Sequence, residues 1–308
     1  MKEKLKAMIR LTGKCTDIFP VAAILSVIMI LAGQMFFPLL SLILPVGRLL
    51  ELVTGSESVA WFLYDYLIFI GIWILFFLAC GLVKWNRPIM KQLAPNRNGN
   101  SLKGMLFGLL LGFGANGFCV LMSVIMGDIH LYFNEFNPLI FFTFLLAVFI
   151  QSGAEEVSDR VYLYQKLRRR YKDPVVAILG NTVFFSALHL FNSGIKPVAV
   201  LCILASGLIF SLLVYYYDSV WAAIMMHTGW NFSQNIVFGL PNSGLVSEYS
   251  LFKLDAASAE EGLFYNVNFG VEGSVGAMLV FTFILFVIIL LNRGKPEKND
   301  VWGIAAAE

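Results

Sequence analysis

Eight stretches of about 20 predominantly apolar residues run through this chain, near 17–39, 61–83, 104–127, 138–165, 174–193, 197–217, 219–238 and 273–291. Each is long enough for a bilayer hydrocarbon core roughly 30 Å thick. Within lipid only helices and closed barrels satisfy their own backbone, and continuous apolarity, not alternation, selects helices. With 58% hydrophobic and 14% charged residues, the chain holds more apolar surface than a soluble core of its length can hide. The expected fold is all-α: a polytopic membrane helix bundle of about eight transmembrane helices. No long linker divides it, so residues 1–308 form a single integral membrane domain.

The net charge of +2 matters less than its distribution. Lys2, Lys4, Lys6, Arg10 and Lys14 precede the first apolar stretch. Lys84, Arg87, Lys91, Arg97 and Lys103 follow the second; Lys166, Arg168, Arg169, Arg170 and Lys172 follow the fourth; Arg293, Lys295 and Lys298 lie in the tail. The intervening loops 40–60 and 239–272 are poor in basic residues. Basic loops stay on the cytoplasmic side, so eight spans put both termini there. The first apolar run is too long for a signal peptide and lacks a small-residue cleavage site, so it reads as a retained helix. The terminal Ala305–Glu308 segment is expected to be without structure. Loop 239–272 is long enough for a small external lid. Cys15, Cys80, Cys119 and Cys202 lie far apart without metal or disulfide spacing and read as free thiols. Gly104, Gly108 and Gly112 repeat at the spacing that lets helices approach closely, within one subunit in preference to a dimer face.

Inside these apolar windows stand Glu155, Glu156, Arg160, His189, His227 and Asn231. An ionisable group at bilayer depth costs roughly 2.5–3.5 kcal/mol on insertion scales, so such groups face a partner or a watery cavity. Two of the three histidines belong to this set. A fourth helix ending at Gly153 would leave the glutamates at the surface, with His189 about 22 Å deep at 1.5 Å per residue. The fourth helix is therefore expected to continue to about Leu167, tilted or kinked at Gly153, with the basic cluster 166–172 at the membrane interface. Glu156 and Arg160, four residues apart, can pair, which frees Glu155 to face a cavity; a structural ion pair bracing the bundle is the plainer account of the pair. On the fifth span Asn181, Phe185, His189 and Asn192 form a stripe, and on the seventh His227 and Asn231 share a face beside Trp230.

A desolvated carboxylate beside an imidazole is suited to activating water, and a second imidazole with an amide can stabilise an oxyanion. That inventory fits peptide-bond hydrolysis without a covalent nucleophile. The alternative is a zinc site of Glu155, His189 and His227 with an open fourth position. No local ligand motif anchors a metal, so no cofactor is expected. No histidine is followed by glutamate as HExxH requires, Asp65 and Asp218 lack a GxGD setting, and Ser186 lacks a glycine-flanked nucleophile turn.

Glu155-Glu156-x-x-x-Arg160, Phe185-x-x-x-His189 and His227-x-x-x-Asn231, in that order on successive spans, resemble the three motifs of the CAAX-protease and bacteriocin-processing family. These are intramembrane glutamate endopeptidases related to the Ras-converting endopeptidase. The resemblance covers 138–238, the expected catalytic core. It implies Glu155 as general base assisted by His189, with His227 and Asn231 stabilising the oxyanion. Asp159 and Val161 depart from the aromatic residue and glycine often flanking the arginine, and Asp159 adds a third carboxylate able to compete for Arg160. The expected partners are a membrane-associated peptide or protein substrate and the lipid bilayer, with no nucleic acid. The expected location is a bacterial cytoplasmic membrane. The rival class is a non-catalytic scaffold, immunity factor or transporter-like protein using the same buried groups; no internal repeat supports a transporter.

Overall fold

The computed structural model describes residues 13–95, 99–299 and 301–303. The expectations placed on Lys2, Lys4, Lys6, Arg10, Arg97, Ala305, Ala306, Ala307 and Glu308 lie outside these. Among the described residues the regular structure is all helical apart from one two-stranded ribbon. Its helices are α1 (Phe19–Ser41), α2 (Val46–Thr54), α3 (Glu57–Leu82), α4 (Leu102–Met126), α5 (Pro138–Arg170), α6 (Pro174–Phe191), α7 (Pro197–Tyr217), α8 (Val220–Phe232) and α9 (Val275–Leu291). Strand β1 (Leu131–Phe133) pairs antiparallel with β2 (Phe252–Leu254).

All eight expected apolar stretches are helical, and among the described residues six helices are long and apolar enough to cross a membrane: α1, α3, α4, α5, α6 and α7. The chain is a multi-pass membrane protein. Two stretches differ for separate reasons. Helix α9 is strongly apolar but only 17 residues long. Helix α8 carries His227, Thr228 and Asn231, and continues into Ser233, Gln234 and Asn235. Most of its residues are buried, so it faces protein and needs no apolar exterior.

The tandem glycines explain how α8 is enclosed. Glycines 108 and 112 of α4 abut the carbonyls of Ala222 and Met226 so closely that a Cβ at either would collide with backbone. Gly229 of α8 returns the contact against the Leu109 carbonyl and the Phe113 backbone nitrogen. This is the packing within one subunit that the spacing predicts. Gly33 of α1 and Gly71 of α3 meet in the same manner.

Helix α5 runs unbroken past Gly153, as the depth argument requires, but its irregularity lies elsewhere. Gly153 sits in regular helix, where its missing side chain admits the Trp73 ring. The backbone instead widens into a π-helical stretch over Val157–Leu163. Helix α8 widens likewise over Ser233–Val237. The first widening follows the glutamate pair and contains Arg160, the second follows Asn231, and such turns often mark functional positions.

The basic cluster closing α5 is not a solvated rim. Arg169 donates from Nε and Nη2 to Asp17, each at 2.6 Å, and stacks on Trp302 with Cζ 4.6 Å from the ring. Lys166 lies 3.2 Å from Asp17, and Arg168 pairs with Glu297. Burial opposes ionisation of Asp17, but the Arg169 hydrogen bond, the Lys14 backbone N–H and both cations outweigh it and hold the carboxyl below its usual range. Three of the five cations in this cluster, Lys166, Arg168 and Arg169, thus bury long stems against specific acids, while Lys172 is exposed. The segments before α1 and after α9 thus meet at one end of the bundle. All four cysteines are free, Cys15 exposed and the others buried.

Candidate active site

Three helices bring the predicted residues together. Glu155 and Glu156 come from the middle of α5, His189 from the last turn of α6, and His227 and Asn231 from α8. The Glu155 Oε2 lies 3.9 Å from Nε2 of His189 and 3.9 Å from Nε2 of His227. These separations are too long for direct hydrogen bonds and right for sharing a third atom. Oε2 is buried and has no hydrogen-bond partner among the described residues.

The two imidazoles are oriented by what lies behind them. The carbonyl of Phe185 can only accept, so the 2.8 Å contact with His189 puts the proton on Nδ1. In neutral His189, Nε2 then carries a lone pair towards Glu155. For His227, Nδ1 lies 3.0 Å from Oε1 of Glu156, again an acceptor. Glu156 is itself held by Arg160, with Nη1 3.2 Å from Oε1 and Nε 3.2 Å from Oε2. Arg160 donates onward to the Gly207 carbonyl at 3.2 Å and lies over the Phe185 ring at 4.3 Å. The ring of Phe210 stacks on His227, with centroids 5.2 Å apart. Glu156 is paired and fully buried, as its four-residue spacing to Arg160 allows, while Glu155 remains partly accessible. Asp159 does approach Arg160, at 3.5 Å, but its other oxygen accepts from Ser158 at 2.6 Å and it leaves the Glu156 pair intact.

A directional amide relay, missed in the sequence, runs behind Glu155. Gln151 Nε2 donates to Glu155 Oε1 at 2.6 Å. An ionised carboxylate only accepts, so Gln151 must present its oxygen to Asn231, whose Nδ2 lies 3.3 Å away. Asn231 then turns its own oxygen to Asn242, which donates at 3.0 Å. Gln151 stands four residues before Glu155, a same-face spacing the sequence does carry. Asn242, Ser243 and Glu272 come from the loop after α8 and carried no signal. The Ser243 N–H donates to Glu272, which fastens the loop over Asn231. Burial pushes the Glu272 carboxyl up to about 7, against the pull of Ser243 and His227. Asn181, in contrast, is away from the site: its amide binds backbone within α6 and its oxygen accepts from Ser211.

These groups open on a cavity of about 660 Å³. One wall is polar, with Gln151, Glu155, His189, His227, Asn231 and Asn242. The side formed by α1, α3 and α6 is mainly apolar, with Val27, Ile30, Phe69, Ile72, Phe184 and Leu188, and also carries Gln34, Asp65 and Tyr66. Among the described residues no group of three or more His, Cys, Asp and Glu is arranged to hold a metal ion. The third histidine, His130, is exposed beside the ribbon, away from this cavity.

An all-helical membrane protein that places a carboxylate and two imidazoles on one cavity has the groups needed to hold and activate a water molecule there. Residues 136–233, about a third of the chain, match the family model described as type II CAAX prenyl endopeptidase, Rce1-like, so over this stretch the chain is similar to that family. No curated protein and no solved structure is similar enough to match.

Proposed function

We propose that this protein is an intramembrane endopeptidase that hydrolyses a peptide bond in a membrane-associated peptide or protein by a glutamate-activated water. The observation that carries the reading is Glu155 Oε2, without a hydrogen-bond partner among the described residues and 3.9 Å from Nε2 of each of two imidazoles. Glu155 takes a proton from water as its oxygen attacks the peptide carbonyl carbon, and His189 steadies that water through Nε2. The carbonyl π pair moves onto oxygen, and the resulting oxyanion is met by protonated His227 and the Asn231 amide. Protonated Glu155 then gives its proton to the leaving nitrogen as the C–N bond breaks. Glu156 and Arg160 do not touch the substrate; they position His227. In this reading the eight apolar helices α1 and α3–α9 cross the bilayer and α2 does not, both termini face the cytoplasm, and the membrane is a bacterial cytoplasmic one. The family description and the apolar wall of the cavity support a substrate carrying a lipid-like group near the scissile bond.

The test is cleavage of a membrane-delivered peptide by purified protein. Glu155→Gln and His189→Ala should each lower the rate at least 100-fold, within the range that general acid–base catalysis contributes, while both variants remain folded. A strong chelator should leave wild-type cleavage unchanged. Undiminished cleavage by Glu155→Gln rejects the mechanism, and chelator-sensitive cleavage favours the zinc alternative.

A further inference from the structure

We propose a second binding site, for one anionic phospholipid, in a groove between α4 and α9 on the face away from the catalytic cavity. The groove encloses about 740 Å³, within the range of ligand pockets. Its floor is buried and apolar, formed by Leu213, Ala222, Ile284 and Ile288, while Phe107 and Phe283 stand exposed at its walls. Helices α4 and α9 run antiparallel here. Lys103 opens α4 at the same end where Leu291 closes α9 and Lys298 follows, and both lysines line the groove. From that end to Leu111 and to Phe283 is eight residues on either helix, about 12 Å of apolar channel at 1.5 Å per residue.

The two ends call for different chemistry. Among the described residues neither Lys103 nor Lys298 has an ion-pair partner, in contrast to the buried cations of α5. Both are exposed at the bundle end where basic connections collect. Ser101, Ser219 and Tyr217 add hydroxyl groups beside them. An acyl chain fits the channel, and a phosphate with net negative charge fits the mouth. Each basic residue near a membrane surface favours anionic lipid by about fivefold.

The experiment uses the delipidated full chain in detergent, offered equal amounts of phosphatidylglycerol and phosphatidylcholine with identical acyl chains, and counts bound lipids by native mass spectrometry. Wild type should retain one phosphatidylglycerol at least about fivefold over phosphatidylcholine. The Lys103→Gln/Lys298→Gln pair should bind both lipids equally. Val287→Trp, which fills the channel, should lose the retained lipid whatever its headgroup. Millimolar inorganic phosphate should not displace it, since the anion lacks the chain. Equal retention by wild type overturns the proposal, as does selectivity that survives in the double variant. Displacement by free phosphate together with insensitivity to Val287→Trp makes it a surface anion site and equally overturns it.

Discussion

Gln151 bears no charge, yet it sets the orientation of the Glu155 carboxylate and, through Asn231, of the loop across the site. Removing a hydrogen bond to a charged group costs about 1.5–3 kcal/mol. Gln151→Leu should therefore lower kcat roughly 10–100-fold, with KM little changed, as steady-state kinetics on the same peptide would report. Glu272 makes a different prediction. In the folded protein it holds its proton up to about pH 7, whereas its ordinary pKa is 4.5. Stability from this group is thus greatest below 4.5 and is lost as pH rises through 7. Glu272→Gln keeps the acceptor for Ser243 and removes the titration, so its Tm relative to wild type should rise between pH 5 and pH 7.5. A Tm difference that does not change with pH would reject the assignment. The charged members of the site could be read from sequence because lipid makes them conspicuous. Gln151 and Glu272 could not, since an amide raises no alarm in a helix and a loop carboxylate gains its meaning only from residues distant in sequence.

At the level of elements, the windows, the continuity of α5 and the purpose of the α4 glycines follow from apolar length and small-residue spacing. What spacing cannot supply is the neighbour against which a helix packs. Helix α8 reads as one more span, and only its enclosure by α4, α5 and α7 explains why it tolerates a run of amides and hydroxyls. Because Gly112 lies against backbone and not a movable side chain, Gly112→Val cannot be absorbed locally. Overpacking of this kind costs about 1–3 kcal/mol. It should lower Tm and also cleavage, since α8 carries His227. Gly114→Ala, at a position with open space, is the matched control and should leave both nearly unchanged.

Across the whole molecule, charge distribution indicates which loops share a side of the bundle but not what holds that side together. The cations at the end of α5 look like an interfacial girdle in sequence, yet Asp17, Glu297 and Trp302 bury them into a fastening between distant parts of the chain. Asp17→Asn strands Arg169 and Lys166, and breaking such a buried pair costs roughly 3–5 kcal/mol. Thermal unfolding should show that loss at neutral pH. Because the Asp17 carboxyl titrates below its usual range, wild type should approach the variant only in strong acid. The enclosure of α8 also bears on how the protein is made. A segment with that many polar groups partitions poorly into lipid by itself. Its glycine-lined cradle in α4 emerges from the ribosome first, so biogenesis can supply a protein surface to receive α8 before the helix must settle in the bilayer.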